Sequence, residues 1–164
     1  MTYQNYMNSQ PVRITKQNLE DRYHRYNEAY FAGKLPRRMH FGTYMGKTTF
    51  GIATHNRNKR WQDKIEIARN VQWSEADLKS TIVHEMVHLY LWYYDPRYGG
   101  KNPLYNRSHG LLFKREGRRL KQQYGIDILS KPKSKVILTG LKGRRVYHNR
   151  LVQAIADWIF VRIL

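Results

Sequence analysis

The sequence predicts an α+β domain, from three stretches of regular apolar spacing. Apolar and aromatic residues recur at helical spacing over residues 19–30, and short extended segments follow over residues 39–68. A second helical pattern, without Gly or Pro, runs from Ser74 to Asp95. We therefore expect a small mixed or antiparallel sheet that packs against an N-terminal helix and a central helix.

The first helix has end signals on both sides. Thr15 or Asn18 can cap its start, and Gly33 can end it shortly before Pro36. Its apolar stripe is interpreted as core rather than as a binding surface, and it consists of Leu19, Tyr23, Tyr26 and Tyr30.

Three extended segments are expected after this helix, at residues 39–45, 48–54 and 64–68. In the last of them, Ile65 and Ile67 alternate with charged residues, as in a half-buried strand. Gly46 and Gly51 are interpreted as turn or bulge positions. The three segments are short enough to form one small sheet.

A basic loop with one aromatic residue lies between the last two segments, and its candidate nucleic-acid contacts are Arg57, Lys59, Arg60 and Trp61. Such a loop can rest on a phosphate backbone while the aromatic ring stacks on a base. A solvated surface loop is an equally good interpretation.

The central helix carries the strongest chemical signal, the motif His84-Glu85-x-x-His88. Histidines four positions apart share a helix face, so both imidazoles can bind one metal ion. Glu85 lies about 100° around the helix from His84. Its carboxylate can therefore stand beside the metal and accept a proton from a metal-bound water. Ser74 is expected to cap the start of this helix, and Pro96 follows its end.

A third candidate ligand is His109, which follows a long irregular loop at residues 95–107. The next helix is expected to begin at Ser108 and to end at Gly125, with His109 facing inward. The loop is interpreted as a rim or lid over the metal, or as a mobile linker. Two helical histidines alone could be ordinary core or surface groups, and the third favours a metal site. The remaining histidines have no such spacing and are interpreted as ordinary residues: His24, His40, His55 and His148.

Composition bounds the possible partners. The 164 residues include 30 Lys and Arg against 12 Asp and Glu, a formal charge of +18. This excess favours nucleic acid, ahead of an anionic membrane surface, and a generally basic surface is the alternative. The chain has no cysteine, which excludes disulfides, thiolate ligands and a Cys nucleophile. Without a signal-peptide core or a membrane-spanning run, we expect a soluble cytoplasmic protein, nucleoid-associated in a bacterium or nuclear in a eukaryote.

The order of the elements predicts one domain with additions at both termini. Residues 1–14 are a polar leader, residues 15–130 form the domain, and residues 131–164 form a basic hairpin followed by an apolar helix. The hairpin is expected to turn around Gly140 and Gly143. The last helix is too short to span a bilayer, and we expect it to pack on the domain, with a dimer or partner face as the alternative.

The motifs and their order resemble the SprT-like metallopeptidases, a family that includes the Spartan proteases, which cut DNA-crosslinked proteins. The similarity begins with Asn-Glu-Ala-Tyr-Phe-Ala-Gly-Lys-Leu-Pro at residues 27–36 and continues through a Gly-containing strand pair and an Ile-x-Ile strand. It then includes His-Glu-Met-Val-His at residues 84–88 and Ser-His-Gly at residues 108–110, followed by Phe113. It covers about residues 17–125.

The resemblance implies a zincin-like fold in which His84, His88 and His109 bind zinc and Glu85 is the acid/base residue. It also implies a protein substrate held at DNA. Many relatives carry a Cys-rich zinc ribbon after the protease domain, and this chain has none. The basic hairpin is expected in that place, and the expectation of DNA binding then depends on the charge excess.

The resulting hypothesis is a zinc-dependent endopeptidase that acts on DNA-associated or DNA-crosslinked proteins. Three neutral imidazoles leave a fourth position for a water, whose pKa zinc lowers to about 7. Glu85 would take the proton of this water and deliver it to the leaving amine. Tyr98, Tyr105 or Arg107 could assist from the loop, and the sequence does not choose among them. An extended substrate is expected to pair with an edge strand within residues 48–68.

Two other functions stay open at this point. One is a non-catalytic nucleic-acid-binding module with a structural metal, whose site would be closed by a fourth protein ligand. The other is a zinc peptidase independent of DNA, whose charge serves acidic protein substrates.

Overall fold

The fold combines helices with two small sheets, which confirms the α+β class. The computed structural model describes residues 12–102, 104–105 and 107–137. Within these ranges the helices are α1 (Lys16–Phe31), α2 (Glu75–Tyr94) and α3 (Leu111–Tyr124). The strands are β1 (His40–Tyr44), β2 (Gly51–Thr54), β3 (Lys64–Ala68), β4 (Val71–Gln72) and β5 (Lys135–Val136). A short 3-10 helix, Arg60–Gln62, precedes β3.

The larger sheet is mixed and has the order β1-β3-β2. β1 runs parallel to β3, with Phe41 opposite Ile65, and β2 runs antiparallel to β3, with Ala53 opposite the same residue. β2 is therefore an edge strand of this sheet. β2 also packs against α2, the helix that carries the histidine motif, so this edge of the sheet lies beside the motif.

The second sheet and a neighbouring bridge hold both ends of the described chain against residues 71–73. β4 pairs with β5 in antiparallel fashion, with Val71 opposite Val136, and Val12 forms a single bridge with Trp73. Residue 136 was expected in a hairpin, and the structure pairs it with β4. The second half of that hairpin, the C-terminal helix and residues 1–11 of the leader lie outside the described residues.

α1 begins as its capping signal predicts. The Thr15 hydroxyl accepts the backbone N–H of Asn18 at 3.2 Å, and the Asn18 side chain accepts the backbone N–H of Thr15 at 3.0 Å. These bonds satisfy two N–H groups that a helix start leaves without helical partners. The helix ends at Ala32, one residue before the expected Gly33, and both residues adopt a positive φ.

The core lies between the larger sheet and the helices. α2 supplies much of it, with Ile82, Met86 and Leu89 fully buried. The expected α1 stripe is also buried, apart from the partly buried Tyr30. Burying each large apolar side chain contributes about 1.5–3 kcal/mol, which fixes α1 and α2 against the sheet. No helix in the described ranges is long and apolar enough to cross a membrane.

Candidate metal centre

Three imidazoles converge at one point beside α2. The Nε2 atom of His109 lies 3.0 Å from Nε2 of His84 and 3.1 Å from Nε2 of His88. The three ligand atoms all lie within 4.8 Å of one another. Nitrogens bound to one tetrahedral zinc at about 2.0–2.1 Å would stand about 3.3 Å apart. The donor set therefore fits a metal ion after a small outward movement of the rings.

His109 reaches this point from a turn, not from the inward face of a helix as the sequence analysis expected. α3 begins at Leu111 with Gly110 as its N-cap, so both His109 and Ser108 precede the helix. Phe113, in the first turn of α3, contacts all three imidazoles, with its ring 4.6 Å from that of His88.

The two α2 imidazoles are oriented by hydrogen bonds to their outer nitrogens. His84 Nδ1–H donates to the carbonyl of Ile128 at 2.9 Å. The hydroxyl of Tyr98 donates to the carbonyl of Ser108 at 2.9 Å, so it accepts the Nδ1–H of His88, 2.6 Å away. Both rings therefore carry their proton on Nδ1 and present an Nε2 lone pair to the common centre, as a metal ligand requires.

Burial keeps these two imidazoles neutral. It lowers the pKa of His84 to about 4, against a smaller raising effect of the Ile128 carbonyl, and His109 lowers it further. Burial also holds the pKa of His88 well below its ordinary value, with added repulsion from the other two histidines. Because neutral imidazole is the form that binds metal, the pair is ready to bind an ion at neutral pH.

Glu85 is buried under the edge strand, next to the histidines. A Cβ atom on Gly51 would lie 2.6 Å from Glu85 Oε1, so only glycine leaves room for this carboxylate. Burial raises the pKa of Glu85 to about 8, and a hydrogen bond from the Ala53 backbone N–H opposes that rise. A cation at the three imidazoles would lower this pKa again. The group is thus placed to exchange a proton near neutral pH.

The histidines and Glu85 line one cleft of about 460 Å³. It is also lined by residues 49–51, which lead into β2, by residues of α3, and by residues 128–132, which follow α3. The centre is therefore open to a ligand from outside.

Comparison with known protein families gives a match that covers most of the chain. The sequence profile of the SprT-like family matches residues 19–135. The chain belongs to the SprT-like family. This confirms the resemblance inferred from the motifs, and the match includes all three histidines and Glu85. No curated protein matches the chain at a significant level.

The three loop residues that could have assisted the reaction lie elsewhere in this SprT-like protein. Tyr98 is buried and its hydroxyl is engaged by His88 and Ser108. Tyr105 is partly buried, with the Arg97 guanidinium 5.1 Å above its ring. Arg107 is exposed. None of the three is among the described residues that line the cleft. Tyr98 instead orients the imidazole of His88 through its hydroxyl.

The candidate nucleic-acid residues lie on a loop outside the cleft. Arg57, Lys59 and Trp61 are exposed, Trp61 by 67%. The Arg57 guanidinium donates to the carbonyl of Gly99 at 3.3 Å, so this loop touches the segment that carries Tyr98. Arg60 begins the 3-10 helix Arg60–Gln62.

A buried network anchors this basic loop to α2, and sequence reasoning missed it. The fully buried Asp63 accepts the Nδ1–H of His55 at 2.9 Å, the backbone N–H of Asn56 at 2.8 Å and the hydroxyl of Tyr93. His55 also stacks on Trp92, one turn after His88. No sequence signal joins residue 63 to residue 93, because only the fold brings them together.

Proposed function

We propose that this SprT-like protein is a zinc-dependent endopeptidase. The observation that carries the proposal is the meeting of three imidazole Nε2 atoms, beside a buried carboxylate, in an open cleft. Zinc is the metal that best suits three neutral imidazoles with an open fourth position. Family membership supports a metallopeptidase-like domain.

The residues divide the chemistry among them. His84, His88 and His109 would hold the zinc, which supplies Lewis acidity and a bound water of pKa about 7. Glu85 accepts the proton of the attacking water and delivers it to the leaving amine. The carboxylate needs no rearrangement for this role, because Gly51 and the Ala53 N–H fix its position.

The edge strand β2 supplies a natural place for the substrate. An extended peptide that adds to a free sheet edge gains main-chain hydrogen bonds without regard to its sequence. Gly51, the first residue of β2, lines the cleft together with Thr49 and Phe50, which precede it. A peptide laid along them would pass directly over the three imidazoles.

We further propose that the substrates are proteins associated with or crosslinked to DNA. The formal charge of +18 supports a polyanionic partner. The exposed loop with Arg57, Lys59 and Trp61 combines cations with an aromatic ring, as single-strand-binding surfaces do. The buried Asp63 network gives that loop a rigid base.

The catalytic proposal is tested by metal analysis and by cleavage of a DNA-bound protein, with and without a chelator. We expect about one zinc per chain, lost in a His84→Ala, His88→Ala double variant. Glu85→Gln should keep zinc and lose at least about 100-fold in cleavage rate. Glu28→Gln, the same chemical change on the exposed surface of α1, is the matched control and should cleave normally. Cleavage by the Glu85→Gln variant at the wild-type rate would assign the base to another residue.

The DNA proposal needs its own comparison. An Arg57→Gln, Lys59→Gln double variant should bind single-stranded DNA more weakly, with a shallower dependence on salt, and cleave a free peptide normally. Arg37→Gln, Arg38→Gln removes the same charge from another exposed site and is the control. Equal DNA binding by both double variants would contradict a role for the loop.

Two alternative functions give different results in these assays. A nucleic-acid-binding module with a structural metal would bind DNA with a steep salt dependence and cleave nothing. The open cleft argues against it, because a structural zinc is closed by a fourth protein ligand. A peptidase independent of DNA would cleave free and DNA-bound substrates equally at all salt concentrations.

A further inference from the structure

One wall of the metal cleft is cationic. Lys114 and Arg118 lie one turn apart on α3 and both line the cleft, as does Lys131 on the following segment. Among the described lining residues the only carboxylate is Glu85, which is buried at the floor. An occupant of this side of the cleft therefore meets positive charge and no exposed negative charge.

The neighbouring cations of α3 are engaged by carboxylates, and the two that face the cleft are not. Arg119 pairs with Glu116 at 2.8 Å, and Lys121 pairs with Asp127 at 2.6 Å. Within the described residues, no ion pair within 4.0 Å involves Lys114 or Arg118. The acidic groups near α3 thus neutralise its other faces and leave this one positive.

Apolar groups lie beside these cations. Ile128 and Leu129 line the same cleft, and Phe113, the residue before Lys114, contacts the imidazoles. A side chain that enters here needs an apolar stem to contact these groups and a negative end to reach the cations. Glutamate has this form, and aspartate has it with a shorter stem.

We propose that Lys114 and Arg118 form a subsite that selects an acidic side chain of the substrate, next to the bond that is cut. This inference rests on the proposed endopeptidase function and is independent of the DNA proposal. It names acidic segments of proteins as the preferred substrate class. Basic segments, such as those that contact DNA, are repelled by the same wall.

The position of the wall favours a peptide over nucleic acid. Lys114 and Arg118 line the same cleft of about 460 Å³ as the imidazoles, a volume that suits a few side chains of an extended chain. A DNA duplex, whose two backbones are separated by grooves about 12 Å and 6 Å wide, is too broad to enter it. Single-stranded DNA is the competitor that an experiment must separate from an acidic peptide.

The test uses peptides that differ at a single position. A mixed peptide library first locates the cleaved bonds, and the position with the strongest preference is then built as Glu, Gln and Lys versions. An exposed ion pair changes binding by up to about fivefold, so two cations should favour the Glu over the Gln peptide by about tenfold in kcat/KM at low salt. In Lys114→Gln, Arg118→Gln this ratio should fall to about one, and in the control Arg37→Gln, Arg38→Gln it should stay near tenfold.

Binding to the Glu85→Gln variant, followed by fluorescence anisotropy, separates this inference from the catalytic proposal. If peptides selected from the library by binding alone bind about tenfold more tightly as Glu than as Gln versions but wild type cleaves nothing, the subsite stands and the endopeptidase proposal fails. Equal kcat/KM or equal binding for the Glu and Gln peptides would overturn the subsite, even with an active enzyme. It would also be overturned if single-stranded DNA displaced the peptide and lost its own binding in Lys114→Gln, Arg118→Gln.

Discussion

Replacing Tyr98 with phenylalanine removes one oxygen atom and, by the geometry of the site, should weaken zinc binding. The Tyr98 hydroxyl is the partner of two groups, His88 Nδ1–H at 2.6 Å and the Ser108 carbonyl at 2.9 Å. Without it, the buried His88 ring loses the bond that sets its proton and its orientation. The turn that delivers His109 also loses its link to α2.

The size of the effect follows from these two bonds. A buried polar group left without a partner costs about 1–3 kcal/mol, which corresponds to about 5- to 150-fold in a binding constant. Changes in groups that orient metal ligands typically weaken metal binding by about 10- to 100-fold. We therefore expect Tyr98→Phe to raise the zinc dissociation constant by about 10- to 100-fold.

The assay is zinc competition with a chromophoric chelator, together with circular dichroism and thermal unfolding of the metal-free protein. Tyr105→Phe, the same change on the same loop, is the matched control and should bind zinc as wild type does. Unchanged zinc affinity in a folded Tyr98→Phe protein would refute the argument that this hydroxyl orients His88. A protein that fails to fold would be replaced by Tyr98→His, which keeps a hydrogen-bonding ring and should recover part of the affinity.

Three further outcomes are expected. Gly51→Ala should keep zinc but cleave peptides about 100-fold more slowly, because its Cβ would lie 2.6 Å from Glu85 Oε1 and displace the carboxylate. Cleavage within twofold of the wild-type rate would contradict this role of Gly51. Glu85 has a folded-state pKa of about 8, above its ordinary 4.5. The metal-free protein should therefore lose up to about 1.4 kcal/mol of stability per pH unit as the pH rises from 4.5 to 8. Calorimetry in the presence of a chelator should show no such loss in Glu85→Gln. His84 has a folded-state pKa of about 4, below its ordinary 6.5, so the stability of the metal-free protein should fall as the pH drops from 6.5 to 4. His84→Asn should make that fall shallower. Parallel pH profiles of stability for wild type and variant would show that His84 is not the titrating group.

Local signals were enough to predict the helices. The Ser74 hydroxyl accepts the backbone N–H of Asp77 at 3.1 Å, and Thr15 caps α1 in the same way. Both caps involve residues three positions apart, so the sequence alone contains them. The histidine motif is local in the same sense, since its spacing and the helix period place His84 and His88 on one face.

Strand limits depended on distant residues and were predicted less well. The second extended segment was expected from residue 48, and β2 begins at Gly51. The preceding turn is held by Asn70, whose side chain accepts the N–H of Gly46 at 2.7 Å and donates to its carbonyl at 2.8 Å. These bonds span 24 positions. No periodic pattern records a contact of that kind.

The start of α3 was expected three residues too early, at Ser108, for a similar reason. The Ser108 carbonyl accepts the hydroxyl of Tyr98, which holds residues 108–109 in a turn, and Gly110 then begins the helix. The turn lets His109 approach the other two histidines from the side. The structure thus brings the candidate ligand His109 to the other two histidines, but by a route that depends on the fold.

The same contrast holds within the metal centre itself. The motif fixes which face of α2 the imidazoles occupy, but it does not fix their tautomers or ring angles. Those are set by Ile128, 44 positions after His84, and by Tyr98, ten positions after His88. Both partners belong to segments that follow helices, one after α2 and one after α3. A helix with the same five-residue motif but without these two segments would present the same residues with freely rotating rings. The motif therefore names two candidate ligands, and the two segments orient their rings.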